Sequence, residues 1–178
     1  ALSSAASDVY KRQEDFAAYI TQVSDVIAAM TKDGYPHPTA FEIETAVAFL
    51  FFKKENCDLV LLEVGMGGNL DATNIIKSTL LAVLVSISMD HMSFLGNTLA
   101  QIAEKKAGII KDGCRVVTAR QKPEAMQVIE RISREHGAKC TIADASEAEV
   151  LKESCLGQTI RYRGEAVSYT HLTLPTIR

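Results

Sequence analysis

Short apolar runs alternate with amphipathic stretches through the middle of the chain, and this alternation restricts the fold more than any other feature. The runs have the length and composition of strands buried in a parallel sheet. Helical periodicity returns between them, as in Thr98–Ile109, where Leu99, Ile102 and Ala103 fall on one side. The pattern predicts an α/β fold with a mostly parallel sheet flanked by helices. The predicted strands are Asp58–Val64, Leu80–Ser86, Cys114–Ala119 and Lys139–Ala143.

Helices are also predicted before the first strand and between the last two. Glu14–Met30 has apolar residues at helical spacing, and Thr39 is placed to cap a second helix that ends near Asn56. Pro123 lies near the first turn of a later helix and Gly137 ends it.

The two ends of the chain resemble translated adapter DNA. Asp8–Gln13 can be encoded by GATGTGTATAAGAGACAG, and the reverse complement of that string encodes Val167–His171 in another frame. One DNA sequence in opposite orientations therefore accounts for both ends, and it resembles the transposase adapter of sequencing libraries. We expect residues 1–13 and 167–178 to be adapter-derived, and residues 14–166 to be part of a longer protein.

Composition excludes several classes of protein. The 178-residue chain is 47% hydrophobic and has a formal net charge of −3, so it suits a globular domain and offers no basic surface for nucleic acid or membrane. Its longest apolar runs, such as Leu80–Ile87, are too short to span a bilayer. Four widely spaced cysteines without a Cys-x-x-Cys pair indicate free thiols in a reducing cytoplasm.

Two polar positions follow neighbouring predicted strands. Glu63 ends the first and His91 follows the second, and ligands of open α/β sheets gather at the carboxyl ends of strands. The two side chains could share a metal ion, although a histidine ligand is unusual for Mg²⁺. The alternative is that Glu63 caps a backbone group and His91 only begins a loop.

A glycine-rich loop and a group of lysines each allow two interpretations. Gly65-x-Gly67-Gly68 is a weak match to the dinucleotide fingerprint, because Leu70 stands where the third glycine belongs, so a loop that lets backbone approach a ligand is favoured. Lys105, Lys106 and Lys111 suit a solvated face at a helix C-terminus. Lys106 is the one that could turn inward.

Three stretches together resemble the folylpolyglutamate/dihydrofolate synthase branch of the Mur ligase superfamily. They are residues 39–45 (TAFEIET), 63–74 (EVGMGGNLDATN) and 90–111 (DHMSFLGNTLAQIAEKKAGIIK). Their order and spacing are specific, and the resemblance extends over essentially all of residues 14–166. It implies a P-loop-NTPase-like Mur ligase central domain, present here in part.

The resemblance assigns roles to seven residues. Glu63 and His91 match the family's Mg²⁺ ligands, and Lys106 matches the lysine that the family carbamylates. Four residues match positions that line the pterin pocket in some bifunctional members: Thr39, Phe41, Asp71 and Ala72. Phe41 would supply an aromatic face and Asp71 an acceptor for ring N–H groups. The chain departs from the family at Asn69, where arginine is usual, and at Lys105, where glutamate is usual.

The implied reaction is ATP-dependent transfer of a phosphoryl group to a carboxylate of folate or dihydropteroate, followed by attack of L-glutamate on the acyl phosphate. The family's Gly-x-x-Gly-Lys-Ser/Thr phosphate loop does not occur in the sequence. We therefore expect the chain alone to lack ligase activity. We also expect the parent enzyme to be monomeric and cytoplasmic.

Three other functions stay open at this point. One is a peptidoglycan-precursor Mur ligase, which the run Leu70–Asn74 argues against. Another is a non-catalytic nucleotide-binding domain, and the third is a dinucleotide-binding oxidoreductase. The sequence does not distinguish a monofunctional from a bifunctional parent enzyme.

Overall fold

A computed structural model describes residues 13–144, 146, 148–154, 157–163 and 168–169. The chain divides into two compact units between Lys77 and Ser78. The predicted adapter-derived ends lie outside the described residues except for Gln13, Ser168 and Tyr169.

The first unit begins with two helices, α1 (Gln13–Lys32) and α2 (Ala40–Lys54). They pack on each other, and Lys54 Nζ donates to Asp15 Oδ1 at 2.5 Å while lying 5.8 Å from the centre of the Tyr19 ring. Thr39 caps α2, as predicted, because its side chain accepts from Glu42 N and the Glu42 side chain accepts from Thr39 N. Both predicted helices are therefore confirmed.

The prediction of a buried strand at Asp58–Val64 is wrong. The segment has no regular secondary structure, and Leu59 and Leu61 are 71% and 87% exposed. A strand is completed by backbone hydrogen bonds to a neighbour, and no other described strand pairs with this segment. The apolar run had the composition of a strand, but composition does not supply a partner. A 3₁₀ helix, Ala72–Ile75, lies later in the same unit.

The second unit is built on a parallel sheet in the order β1 (Leu81–Leu84), β2 (Arg115–Ala119) and β3 (Lys139–Ala143). Helices α3 (Met92–Leu95) and α4 (Leu99–Ala107) connect β1 to β2, and α5 (Pro123–Glu135) connects β2 to β3. The caps follow the sequence: Thr98 accepts from Gln101 N, Pro123 opens α5, and Gly137 has the positive φ of a helix stop. The predicted parallel α/β arrangement is confirmed.

The core of this unit lies between one face of the sheet and helices α4 and α5. Ile102, Val116 and Ile129 have no exposed surface, and each comes from a different element. The strand predicted at Leu80–Ser86 is shorter and buried on one face only, since Ala82 and Leu84 point inward while Leu81 and Val83 are about half exposed. The sequence did not show this alternation because both sets of residues are apolar.

A second sheet was missed in the sequence. Its strands are β4 (Ala148–Ser154), β5 (Gly157–Arg163) and β6 (Ser168–Tyr169), and both pairings are antiparallel. Charged residues such as Lys152 and Arg161 interrupt the apolar pattern of β4 and β5. β6 falls within the segment predicted to be adapter-derived. In the part of the chain that the structure describes, no helix combines the length and apolar character that crossing a membrane requires.

Candidate functional site

In the first unit, the candidate site is the loop Gly65–Asn74, here called the glycine-rich loop. Asp71 holds it together, since its Oδ2 accepts from Met66 N at 2.9 Å and its Oδ1 accepts from Thr73 N at 3.0 Å and Thr73 Oγ1 at 2.6 Å. Asp71 also caps the 3₁₀ helix that begins at Ala72. Both carboxylate oxygens already shape the loop, and a carboxylate has lone pairs left for a ligand donor.

Phe41 joins this loop to helix α2. An added Cβ at Gly65 would lie 2.7 Å from Phe41 Cζ and 3.1 Å from Cε1 and Cε2, so the backbone approaches the ring more closely than any side chain allows. Phe41 is partly buried and keeps some surface open to solvent. The two residue types that the sequence singled out for this region, a glycine for close approach and an aromatic face, are thus in direct contact.

Thr39 begins α2 and is tied into its capping box. Its Oγ1 donates to Glu42 Oε2 at 2.8 Å, and these bonds from Thr39 lower the pKa of the Glu42 carboxyl. The Thr39 hydroxyl therefore caps α2, in addition to the substrate contact that the resemblance implies. Glu63 lies two residues before Gly65 on the exposed side of the same unit.

In the second unit, His91 lies between β1 and α3 with an unusual backbone. Its φ is 48° and its ψ is 39°, a left-handed conformation that non-glycine residues rarely adopt. Its N–H is held by Asp90 Oδ1 at 2.8 Å, and its carbonyl accepts from Phe94 N and Leu95 N, both at 2.9 Å. The imidazole itself is exposed, with Nε2 3.8 Å from Asp90 Oδ2. Because residues held in this conformation cluster at functional sites, the backbone of His91 supports the hypothesis that this position is functional.

Lys106 lies in the last turn of α4 and is half-buried, as is Lys105. Lys111 Nζ lies 3.5 Å from the carbonyl oxygen of Gly108, just beyond the helix end, in the geometry of a cation near a helix C-terminus. An open groove of about 580 Å³ runs along α3 and α4, between Phe94, Gln101 and Val128.

The predicted site residues are divided between the two units. Thr39, Phe41, Glu63, Asp71 and Ala72 belong to the first unit, whereas His91 and Lys106 belong to the second. The Glu63–His91 metal pair therefore stays a prediction. Among the described residues, no group of three or more histidine, cysteine, aspartate or glutamate side chains is placed to hold a metal.

Two residues that support the segment leading to His91 were not singled out from the sequence. Asp90 accepts from the His91 N–H and lies beside the His91 ring. Because Asp90 directly precedes a candidate ligand in the sequence, it could have been identified from the sequence. Gln121 bonds to the backbone that leads to His91 from a distant part of the chain, and nothing in its local sequence indicates this.

Comparison with known proteins gives a consistent picture. A family model described as the Mur ligase middle domain matches residues 6–174. The dihydrofolate synthase/folylpolyglutamate synthase of Bacillus subtilis is 45% identical over 126 residues, which is 70% of this chain and 29% of that protein. The enzyme of the same name from Mycobacterium tuberculosis is 36% identical over 173 residues, covering 93% of this chain and 35% of its own length.

Solved structures agree with the sequence comparison. A structure of an FPGS–AMPPCP–folate complex superposes with a TM-score of 0.75 at 30% identity, covering 85% of this chain and 37% of that one. The chain thus spans about a third of the length of these relatives.

Proposed function

The chain belongs to the Mur ligase family, and from that premise we propose that it is part of an ATP-dependent ligase that joins L-glutamate to a carboxylate of folate, dihydropteroate or both. The observation that carries the proposal is the 45% identity to the Bacillus subtilis dihydrofolate synthase/folylpolyglutamate synthase. The motif at residues 63–74 contains the close approach of Gly65 to the Phe41 ring, and the motif at residues 90–111 contains the left-handed backbone of His91.

The first unit would bind the folate-type substrate. The Phe41 ring offers an apolar aromatic surface beside a backbone with no side chain at Gly65, which suits a flat heterocycle. The Asp71 carboxylate keeps the glycine-rich loop in shape and has acceptor capacity left for ring N–H groups. Thr39 and Ala72 lie at the starts of the two helices that border this loop.

Mg²⁺ belongs to the proposal as the ion that neutralises charge on the phosphoryl groups. The carboxylates of Asp90 and Glu63 are oxygen donors of the kind that Mg²⁺ prefers, and the exposed His91 imidazole is the less usual nitrogen donor that the family resemblance implies. His91 would present its ring nitrogen from a fixed backbone. Lys106, half-buried at the end of α4, would add a further anionic oxygen ligand when carbamylated.

The acyl-transfer step follows from ordinary carboxylate chemistry. The carboxylate oxygen of the substrate attacks the terminal phosphorus of ATP, and ADP leaves. The glutamate amine then attacks the acyl carbon, inorganic phosphate leaves, and one amine proton passes to solvent or to a base. The role of this chain is to position the acceptor and to balance charge, since positioning and electrostatics dominate phosphoryl transfer.

The test is an assay on the longer gene product recovered from the source DNA with outward primers. We expect ATP- and glutamate-dependent product from folate or dihydropteroate, and none from the 178-residue chain alone. Lys106→Arg should abolish turnover, whereas Lys105→Arg, at the adjacent half-buried position, should retain it. Turnover on a peptidoglycan precursor instead of folate would move the assignment to the other branch of the family.

The proposal also includes a monomeric enzyme in the cytoplasm. The described cysteines Cys57, Cys114 and Cys140 are free thiols, which supports a reducing compartment. Light scattering and cell fractionation of the longer gene product would decide these two points.

A further inference from the structure

Gln121 forms an unusual bridge between two strands of the parallel sheet. Its Oε1 accepts from Ile87 N at 2.9 Å, and its Nε2 donates to Val85 O at 2.9 Å and to Thr118 Oγ1 at 3.0 Å. Thr118 is fully buried and its hydroxyl donates to Ala119 O at 3.0 Å. All three polar groups that Gln121 contacts lie at the carboxyl ends of β1 and β2.

These bonds continue the sheet after the backbone ladder has stopped. The last paired residues of β1 and β2 are Leu84 and Thr118. Beyond that pair, the backbone groups of Val85 and Ile87 meet a side-chain amide, which has the same donor and acceptor as a peptide group. Gln121 therefore acts as one additional peptide unit of β2 and guides the chain as it leaves β1.

The segment that leaves β1 carries His91. Ile87 is buried at 7% exposure and Leu95 at 6%, and the residues between these two anchors are exposed. A short loop between fixed ends has few conformations, and this one also contains the left-handed backbone of His91. A change at the Ile87 anchor would therefore change the position from which the imidazole is presented.

We propose that Gln121 is a positioning residue, which sets the exit of β1 and through it the placement of His91. The use of His91 as a metal ligand rests on the proposed function, whereas the positioning itself does not. The hydrogen bonds of Gln121 go to the ends of β1 and β2, and its contribution is to reduce the number of conformations open to residues 88–91.

The experiment uses NMR on the 178-residue chain with Gln121→Met, which keeps the side-chain length and removes all three bonds. Gln127→Met makes the same substitution at an exposed position of α5 and serves as the matched control. The readouts are amide exchange at Ile87 and at Val116, the chemical shifts of the His91 ring, and broadening of those ring signals by Mn²⁺, which reports proximity to a hard divalent ion.

We expect Gln121→Met to accelerate Ile87 exchange roughly three- to tenfold, in proportion to one lost hydrogen bond. The His91 ring signals should shift and their broadening by Mn²⁺ should decrease, while Val116 exchange and the control variant stay unchanged. Gln121→Glu keeps an acceptor for Ile87 N and loses the hydrogen bonds to Val85 O and Thr118 Oγ1. Its Ile87 exchange rate should therefore lie between those of the unaltered chain and Gln121→Met. This variant also decides the matter if Gln121→Met does not fold.

Unchanged Ile87 exchange and His91 signals would overturn the proposal. Equal acceleration at Ile87 and Val116 would also overturn it, since Gln121 would then support the whole sheet and not the loop. If Mn²⁺ fails to broaden His91 in the unaltered chain, the metal role in the proposed function fails. The Ile87 exchange and the His91 shifts still decide the positioning in that case.

Discussion

Replacing Gly65 by alanine tests the contact between the glycine-rich loop and helix α2. The new Cβ would lie 2.7 Å from Phe41 Cζ and 3.1 Å from the two neighbouring ring carbons. Carbon atoms in ordinary contact are about 3.5–4.0 Å apart, so the ring has to retreat by about 0.8 Å or more. Because Phe41 is not fully buried, its ring can move toward solvent. We expect a loss of about 1 kcal/mol of unfolding free energy, the lower end of the range for overpacked sites.

The clash should depend on the ring and not on the backbone of Gly65, whose φ is outside the left-handed region. In a Phe41→Leu background, Gly65→Ala should therefore be neutral or stabilise the chain by up to about 1 kcal/mol through the unfolded state. The coupling between the two substitutions, measured in a double-mutant cycle by urea unfolding followed with circular dichroism, should be about 1–2 kcal/mol. Equal effects of Gly65→Ala in both backgrounds would refute the reasoning, because the ring would then play no part.

Three further predictions concern single residues. Thr39→Ala should cost about 1 kcal/mol by removing the cap of α2, and Thr39→Ser should restore it, as measured by urea unfolding. Ile129→Ala should cost about 2–5 kcal/mol in the same assay, because Ile129 is fully buried between α5 and the sheet and leaves a cavity. Arg120 and the Ser146 amide lower the pKa of Asp144 from 3.8 to about 2, so this charged pair stabilises the fold above about pH 4 and loses its effect as the pH falls toward 2. The melting temperatures of the unaltered chain and Arg120→Gln should therefore differ at neutral pH and converge in acid; a difference that persists at pH 2 would contradict this.

Local rules carried the sequence predictions that are confirmed. Thr39 with Glu42, Thr98 with Gln101, and the pair Pro123 and Gly137 mark helix ends, because a cap needs only residues within one turn of each other. The strands β2 and β3 were likewise visible as apolar runs between helices. At the motifs around Gly65 and His91 the structure shows close packing at one and a left-handed backbone at the other, and the site roles of these segments stay predictions.

What the sequence could not supply is the identity of distant partners. Asp58–Val64 has the composition of a strand but no described neighbour, and β1 has an exposed apolar face that composition alone presents as buried. Gln121 bonds to Val85 and Ile87 across 36 and 34 positions of the chain, and no local pattern encodes that contact. The sequence by itself determined helices α1, α2, α4 and α5 and the parallel α/β class, because these depend on residues a few positions apart, whereas the short helix α3 was not predicted. Only the tertiary structure decided which apolar runs pair as strands, that the Phe41 ring contacts Gly65, and that the Gln121 amide bonds to the segment leading to His91. These features depend on hydrogen bonds and contacts that form only when distant segments come together.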